Sequence, residues 1–302
     1  MGKIIVVGSI NMDLVVRAPR HPRPGETLLG SDFQTFPGGK GANQAVAAAR
    51  LGADVKMIGR VGQDAFGGQL LEGMRADGIN VSQVQSLPGQ ATGVALITLD
   101  QNGQNTIVVA SGANMSLTRA DVLAAEDLFA DAAVLLTQLE VPVDAVQASL
   151  ELAKKHGLVT MLNPAPAREL PANLLKLVDF LIPNESELAL LAGGQTDIDA
   201  AARTLHGQGV ENLIVTLGGD GVRVDLPAGA WLLPAYSVKV VDTVAAGDAF
   251  AGAFCAALSE GKSVEDAVGW ANAAGALAVT RAGAQPSLPN RMELQEFLRQ
   301  AA

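Results

Sequence analysis

The run Val241-Asp242-Thr243-Val244-Ala245-Ala246-Gly247-Asp248-Ala249-Phe250 carries the clearest chemical signal in this chain. A strand ends near Asp242, small residues make a tight turn, and a helix opens at about Gly247. Ala245, Ala246 and Gly247 have almost no side chain to screen their amides. Their N–H groups, at a helix N-terminus, form a cradle for negative charge on a transferring phosphoryl group. Asp248 stands beside that cradle in the first turn, where a carboxylate can take the proton of an attacking hydroxyl. An acid at a helix start also complements the helix dipole with no catalytic role; the rest of the string favours the chemical reading.

A second glycine-rich loop, Phe36-Pro37-Gly38-Gly39-Lys40-Gly41-Ala42-Asn43, enters a helix. It lacks the first glycine and the Ser/Thr after lysine that a Walker A loop requires. Gly8-Ser9-Ile10-Asn11 likewise lacks the three spaced glycines of a dinucleotide fingerprint. The loop's glycines let backbone approach a small ligand, with Asn43 hydrogen-bonding from the helix, although taken alone the loop reads equally as a structural turn. Asn11 and Asp13 leave the first strand at its C-terminal end, and residues two apart on extended chain share a face; taken alone, they serve equally to cap or turn the chain. Thr216-Leu217-Gly218-Gly219-Asp220-Gly221 could hold nucleotide phosphates, or be a plain turn. The acids of Pro183-Asn184-Glu185-Ser186-Glu187 suit either a helix cap or a magnesium site. His21, His156 and His206 are scattered without metal spacing, and no Ser-His-Asp arrangement is present.

Apolar runs alternate with helical patterns along most of the sequence. Strands are predicted at Ile4–Val7, Val55–Ile58, Val134–Leu139, Val159–Leu162, Phe180–Ile182 and Leu213–Leu217. Helices are predicted at Ala42–Leu51, Ala65–Ala76, Val143–Lys155 and Asp199–Gly207, with Gly52, Gly78, Gly157 and Gly209 as C-terminal caps. Such alternation gives a parallel sheet covered on both faces, an α/β fold. Two segments break the rhythm. Thr27–Phe36 has no helix of its own, and Thr92–Leu99 and Asn105–Ala110 flank an Asn-Gly hairpin signal at Asn102-Gly103. They are read as a small antiparallel sheet beside the main one, exposed on one face unless it covers a ligand or another subunit. From Gly247 onward the chain reads as mostly helical.

The chain has 302 residues, 49% of them apolar, enough for one large domain or a domain with a small lid. The net charge of −10 argues against nucleic-acid and anionic-membrane partners. No apolar run approaches the roughly 20 residues of a membrane span. Met1-Gly2-Lys3 followed by Ile4–Val7 is too short an apolar run for a signal peptide, so a buried first strand is expected. The single cysteine, Cys255, cannot pair internally and suits a reducing cytoplasm.

Taken together, Gly8–Asp13, Gly38–Ala48, Thr92–Ala95, Asn163–Ala167, Pro183–Glu187, Asp242–Phe250 and Ala278–Ser287 closely resemble the ribokinase-like family of carbohydrate kinases, nearly end to end. The Asp242–Asp248 string is the family's most specific mark. The Gly-Gly-Lys-Gly-Ala-Asn and Asn-Pro-Ala-Pro-Ala strings look like its ribose-phosphorylating branch. The resemblance implies a Rossmann-like parallel sheet with helices on both faces, in a single domain over 1–302, with β-sheet lid segments at about 12–37 and 91–110. It implies transfer of the γ-phosphate of ATP to the 5-hydroxyl of D-ribose, with Asp248 as base and Ala245, Ala246 and Gly247 as cradle. It places Asn11, Asp13, Gly39, Lys40, Asn43, Glu140 and Asp248 on the sugar, and Asn184, Thr216, Gly218, Gly221, Gly247 and Asn272 on the nucleotide. Glu187 would organise Mg²⁺ through water. Asp242, Val244, Ala278, Arg281, Gly283 and Ser287 match a K⁺-binding loop pair, partly through carbonyls. Lid sheets of the family commonly pair across a homodimer. A sister kinase acting on deoxyribose or fructose, and a non-catalytic sugar or nucleotide sensor, are the alternative readings.

Overall fold

Ile4, Ile5, Val6 and Val7 point alternately to opposite sides of an extended chain, and all four are fully buried. Only a central strand covered on both faces permits that. The computed structural model, which describes residues 2–301, places them there. Among the described residues there are thirteen strands: β1 (Lys3–Val7), β2 (Asn11–Arg17), β3 (Phe33–Gly38), β4 (Asp54–Gly62), β5 (Asn80–Leu87), β6 (Gly93–Leu99), β7 (Asn105–Ala110), β8 (Val134–Thr137), β9 (Val159–Leu162), β10 (Phe180–Leu181), β11 (Asn212–Thr216), β12 (Val222–Leu226) and β13 (Gly229–Leu233).

Nine of them form the central sheet in the order β13-β12-β11-β10-β9-β8-β1-β4-β5. Ile4 and Val6 face one apolar core with helices Lys40–Arg50, Ala246–Ser259 and Val264–Ala278. Ile5 and Val7 face a second core with helix Val143–Lys155. The four glycines expected to end helices all adopt left-handed backbone, with φ of 96°, 80°, 75° and 103°.

The sheet is parallel from β5 across to β11, as expected, but not beyond. Gly221 (φ 104°) turns the chain back, so β12 and β13 run antiparallel along one edge. The other edge, β5, was not foreseen; its two buried residues, Val81 and Val84, lie three apart, across a register shift against β4 between Asn80 and Gln83.

The second sheet, β3-β2-β6-β7, is the expected lid. β6 and β7 form the hairpin over Asn102-Gly103, while β2 and β6 pair in parallel, so the lid is mixed rather than antiparallel throughout. After β1 the chain builds toward β4 and β5, then returns to the other side of β1 with β8. Strand order therefore reverses between β1 and β8, and the crevice beyond their C-terminal ends is where open α/β sheets bind ligands. The lid grows from this crevice.

Candidate active site

Each strand around the reversal point delivers a polar side chain just past its C-terminal end: Ser9 and Asn11 after β1, Gln138 and Glu140 after β8, Asn163 after β9, Asn184 after β10 and Thr216 at the end of β11. Asp248 comes from the other direction, in the first turn of helix Ala246–Ser259. That helix crosses Lys40–Arg50 at close range. A Cβ on Gly252 would lie 2.6 Å from the Gln44 carbonyl oxygen and the Ala47 Cβ, so only glycine lets the backbones approach this far.

The close crossing brings two amides onto Asp248. Asn43 Nδ2 donates to its Oδ2 (2.9 Å) and Gln44 Nε2 to its Oδ1 (2.9 Å). The orientation of these groups is set by the main chain. Asn163 Nδ2 donates to the Ile182 carbonyl (2.9 Å), so Asn163 must offer its oxygen to Gln44 Nε2 (3.1 Å). Gln44 Oε1 in turn accepts from Gln138 Nε2 (2.6 Å). Asp248, Gln44 and Gln138 are all buried. Both Asp248 oxygens are satisfied, so Asp248 is held in one place as an acceptor, while Gln138 Oε1 at the far end of the network is buried without a partner. The Oδ1 of Asn43 is buried without a partner and remains free to accept from a ligand.

Three residues before Asp248, at the N-cap of its helix, Ala245 has φ 61° and ψ 9°. It is the sole left-handed non-glycine among the described residues, a conformation costing about 1–2 kcal/mol for an L-residue. Such strain is typical of functional turns. The Ala246 N–H turns back to the Thr243 carbonyl (3.3 Å). The N–H groups of Ala245, Gly247 and Asp248 find no partner among the described residues. The amides left open in this turn are thus those of 245, 247 and 248, while the Ala246 amide is committed to the turn itself.

Glu140 Oε2 accepts from Ser9 Oγ (2.6 Å) and from the Lys40 backbone N–H (3.1 Å). Asp13 lies against Gly38, where a Cβ would overlap its carboxylate, and Gly39 and Gly41 press on Asn11 and Ser9 in the same way. The glycines expected to admit a ligand thus first admit the chain's own strands. Burial, then the charges of Glu140 and Asp248, push Asp13 up to about 7. The Lys40 ammonium shares a pocket with Asp248, Glu187, Asn184 and the cradle. Burial works against its charge, but Asp248, Glu140 and Glu187 together outweigh burial and hold it above its ordinary value. Lys40, expected on the sugar, stands between the sugar-side carboxylates and the cradle, where a transferring phosphoryl group would also meet it.

Beyond the cradle opens a cavity of about 590 Å³, lined by all six residues expected on the nucleotide: Asn184, Thr216, Gly218, Gly221, Gly247 and Asn272. Its apolar walls include Tyr236, Val240, Ala276 and Val279. Asn272 does not point freely into it, because Nδ2 donates to the Pro234 carbonyl (2.9 Å).

Residues 1–291 match the family model described as pfkB family carbohydrate kinase. The chain belongs to the pfkB family of carbohydrate kinases. It is therefore an ATP-dependent sugar kinase. It is 41% identical to the ribokinase of Haemophilus influenzae over 99% of both chains. It is 40% identical to the deoxyribokinase of Salmonella typhi over 98% of both. The structure of Arabidopsis thaliana ribokinase complexed with ribose and ATP superposes with a TM-score of 0.91 at 34% identity, covering 99% of each chain.

For a pfkB kinase, the structure also shows what surrounds the cradle. Asp242 accepts from the Val244 N–H (3.0 Å) with Oδ1 and from the Gly283 N–H (2.9 Å) with Oδ2, tying the cradle loop to the Ala278–Ser287 segment. Arg281 donates its N–H to the Ala278 carbonyl, but its guanidinium pairs with Glu293 and turns away. Ser287 is buried and donates to the Ala284 carbonyl (2.7 Å). Glu187 closes a capping box with Asn184, so the helix-cap reading of that acid holds, with its second oxygen uncommitted. Burial, opposed by the Asn184 N–H, raises its carboxyl.

Reading the sequence overlooked Gln44, Gln138 and the orienting role of Asn163. The available signal was polar amides inside otherwise apolar, buried segments, which must find partners. Tyr236 and Val240 gave no signal, since their segment has no regular structure. Among the described residues no helix is long and apolar enough to cross a membrane.

Proposed function

We propose that this kinase transfers the γ-phosphate of ATP to the 5-hydroxyl of D-ribose, with Asp248 as general base. The observation that carries the reading is the gathering of Asp13, Glu140, Asn43 and Asp248 at the lid root, within one step of an open amide cradle. Unpaired acceptors beside a buried base call for a ligand rich in hydroxyls. Asp248 takes the proton of the attacking hydroxyl. The amides of Ala245, Gly247 and Asp248 and the Lys40 ammonium meet the charge that develops as the phosphoryl group moves. The nucleotide lies in the cavity with its phosphates toward Gly247.

Magnesium fits the residues present: one half-buried carboxylate, Glu187, faces the same pocket as the cradle. Mg²⁺ keeps several waters and needs few protein carboxylates besides substrate phosphates. Bound there, it supplies positive charge to the phosphates. Asp242 and the carbonyls of Val244, Ala278, Arg281, Gly283 and Ser287 are hard oxygen donors suited to K⁺. The role inferred for that site is to stiffen the loop that aims the cradle.

The face of the lid turned away from Asp13 supports pairing with a second copy. By register, Leu96, Val108 and Phe33 share that face and are 50%, 66% and 66% exposed. Light scattering reads this directly, and a monomeric mass removes it.

The ribokinase and the deoxyribokinase are about equally similar to this chain, so the sugar is decided by the site. If a hydroxyl is missing, Asp13 or Asn43 is left buried and unpaired, at about 1–3 kcal/mol. A coupled assay over pentoses and hexoses should give ribose at least about tenfold higher kcat/KM than 2-deoxyribose, or about 1.4 kcal/mol. A preference for deoxyribose keeps the kinase chemistry and overturns the ribose assignment.

A further inference from the structure

Asn114 lies outside every segment singled out in the sequence, in the turn Gly112–Ser116 that follows β7. It is 1% exposed, and both ends of its carboxamide are committed. Oδ1 accepts from the Ile10 N–H (2.9 Å), while Nδ2 donates to the Ile10 carbonyl (3.2 Å) and to Asn11 Oδ1 (2.7 Å). The two Ile10 contacts imitate a strand pairing, and a backbone N–H and C=O cannot exchange roles. Asn114 can therefore sit only one way round. It follows that the Asn11 atom facing Asn114 is its oxygen, and that Asn11 Nδ2 is the group left over. Among the described residues that Nδ2 has no hydrogen-bond partner, and Asn11 shares its strand face with Asp13 two residues on.

The third member of the arrangement is Gly93, directly across from Asn11 where β2 pairs with β6. A Cβ on Gly93 would overlap both Asn11 Oδ1 and Asn114 Nδ2. Three separate pieces of the lid root thus meet at one amide: the start of β2, the start of β6 and the turn after β7.

We infer that Asn114 is a positioning residue for sugar specificity, which locks Asn11 as a hydrogen-bond donor toward the sugar. This rests on the reading that the sugar lies over Asn11 and Asp13. With a fixed donor at residue 11 and an acceptor carboxylate at residue 13, the site favours a ligand whose hydroxyl chain runs in one direction. One oxygen accepts from Asn11 Nδ2, and a hydroxyl donates to Asp13. Asn114 touches neither sugar nor nucleotide; it acts through Asn11 alone.

Two variants of the full chain separate orientation from folding. Asn114→Asp is nearly isosteric but has no donor for Asn11 Oδ1, so the Asn11 amide reverses and turns its oxygen to the sugar. Gly93→Ala splits the same pair while leaving both asparagines in place. KM for the sugar should rise at least tenfold in each, with kcat within threefold and KM for ATP within twofold of the parent. Monofluoro and monodeoxy analogues of the sugar give the sharper readout, because fluorine accepts a hydrogen bond but cannot donate one. At one sugar position the parent should bind the fluoro analogue more tightly than the deoxy analogue, and Asn114→Asp should abolish or invert that order. A sugar KM within twofold of the parent in both variants overturns the proposal. So does a joint rise in sugar and ATP KM with a lowered thermal midpoint and an unchanged fluoro-to-deoxy order. All constants are read with whichever sugar the parent phosphorylates best, so a parent that ignores ribose refutes the ribose assignment and leaves this test standing.

Discussion

On the sugar side of the crevice, side chains hold side chains: Asn163 orients Gln44, Gln44 and Asn43 fix Asp248, and Ser9 anchors Glu140. On the nucleotide side, a cavity of about 590 Å³ is lined by glycines, small or apolar residues and a few polar groups, with Asn272 already bonded to Pro234. The first region concentrates carboxylates that repel one another in a half-dry space, a state favourable only when hydroxyls and a proton acceptor are the purpose. The second offers shape and backbone, which suit a large, flat, partly apolar ligand. Single substitutions should therefore act strongly and selectively on the sugar side, and weakly and diffusely on the nucleotide side.

The largest effect is expected at Asp248. A sugar hydroxyl is a poor nucleophile until its proton is removed, and phosphoryl transfer otherwise asks the protein only for position and charge. Asp248→Asn keeps the size and one acceptor for the flanking amides but cannot take the proton. kcat should fall by about 10²–10⁴-fold while sugar affinity stays nearly unchanged. A kcat within threefold of the parent removes Asp248 from the role of base (threefold is roughly 0.65 kcal/mol of barrier).

A smaller effect is expected where the two regions join, at Asp242. Its two oxygens hold the N–H groups of Val244 and Gly283, and Asp242→Asn can accept only one of them well. Hydrogen bonds to a charged group contribute about 1.5–3 kcal/mol, so a cradle held half as firmly should lower kcat roughly tenfold, about 1.4 kcal/mol. The parent should be faster in potassium than in sodium, and the variant should lose that difference. Equal parent rates in potassium, sodium and a bulky organic cation at matched ionic strength rule out the proposed cation site.

The central sheet was legible because Ile4–Val7, Val134–Leu136 and Leu213–Val215 are uninterrupted apolar runs that only a doubly covered sheet accepts. The lid was legible from Asn102-Gly103, though not its parallel β2–β6 pairing, since register between distant segments leaves no local mark. The cradle was legible from three small residues before an acid. Its details were not: which amides remain open depends on the left-handed turn at Ala245, a residue type that rarely adopts it. Gln44 and Gln138 stayed hidden because their meaning lies in partners 94 to 204 positions away.

The smallest effect is thermodynamic, and it tests whether the sugar side is strained as the comparison holds. Asp13 has a carboxyl raised from 3.8 to about 7, first by burial and then by Glu140 and Asp248. The folded protein therefore keeps a proton there between about pH 4 and pH 7 that the unfolded chain has already released. Stability from this group is fully present below about pH 4 and is lost as pH rises through 7. Asp13→Asn should accordingly be more stable than the parent at pH 8, and the gap should close by pH 4. One full pKa unit corresponds to about 1.36 kcal/mol, and the side chain is not fully enclosed, so solvent screening reduces the total to roughly 1–2 kcal/mol. At this chain length that is a difference in thermal midpoint of a few degrees, about 2–4 °C per kcal/mol. Sugar binding should run the other way. A hydroxyl that donates to Asp13 stabilises its ionised form, so ribose should raise the parent's midpoint more at pH 8 than at pH 5.5. In Asp13→Asn the ribose shift should be smaller and flat across that range. A ribose shift in the parent that does not change with pH would mean that the charge on Asp13 plays no part in holding the sugar.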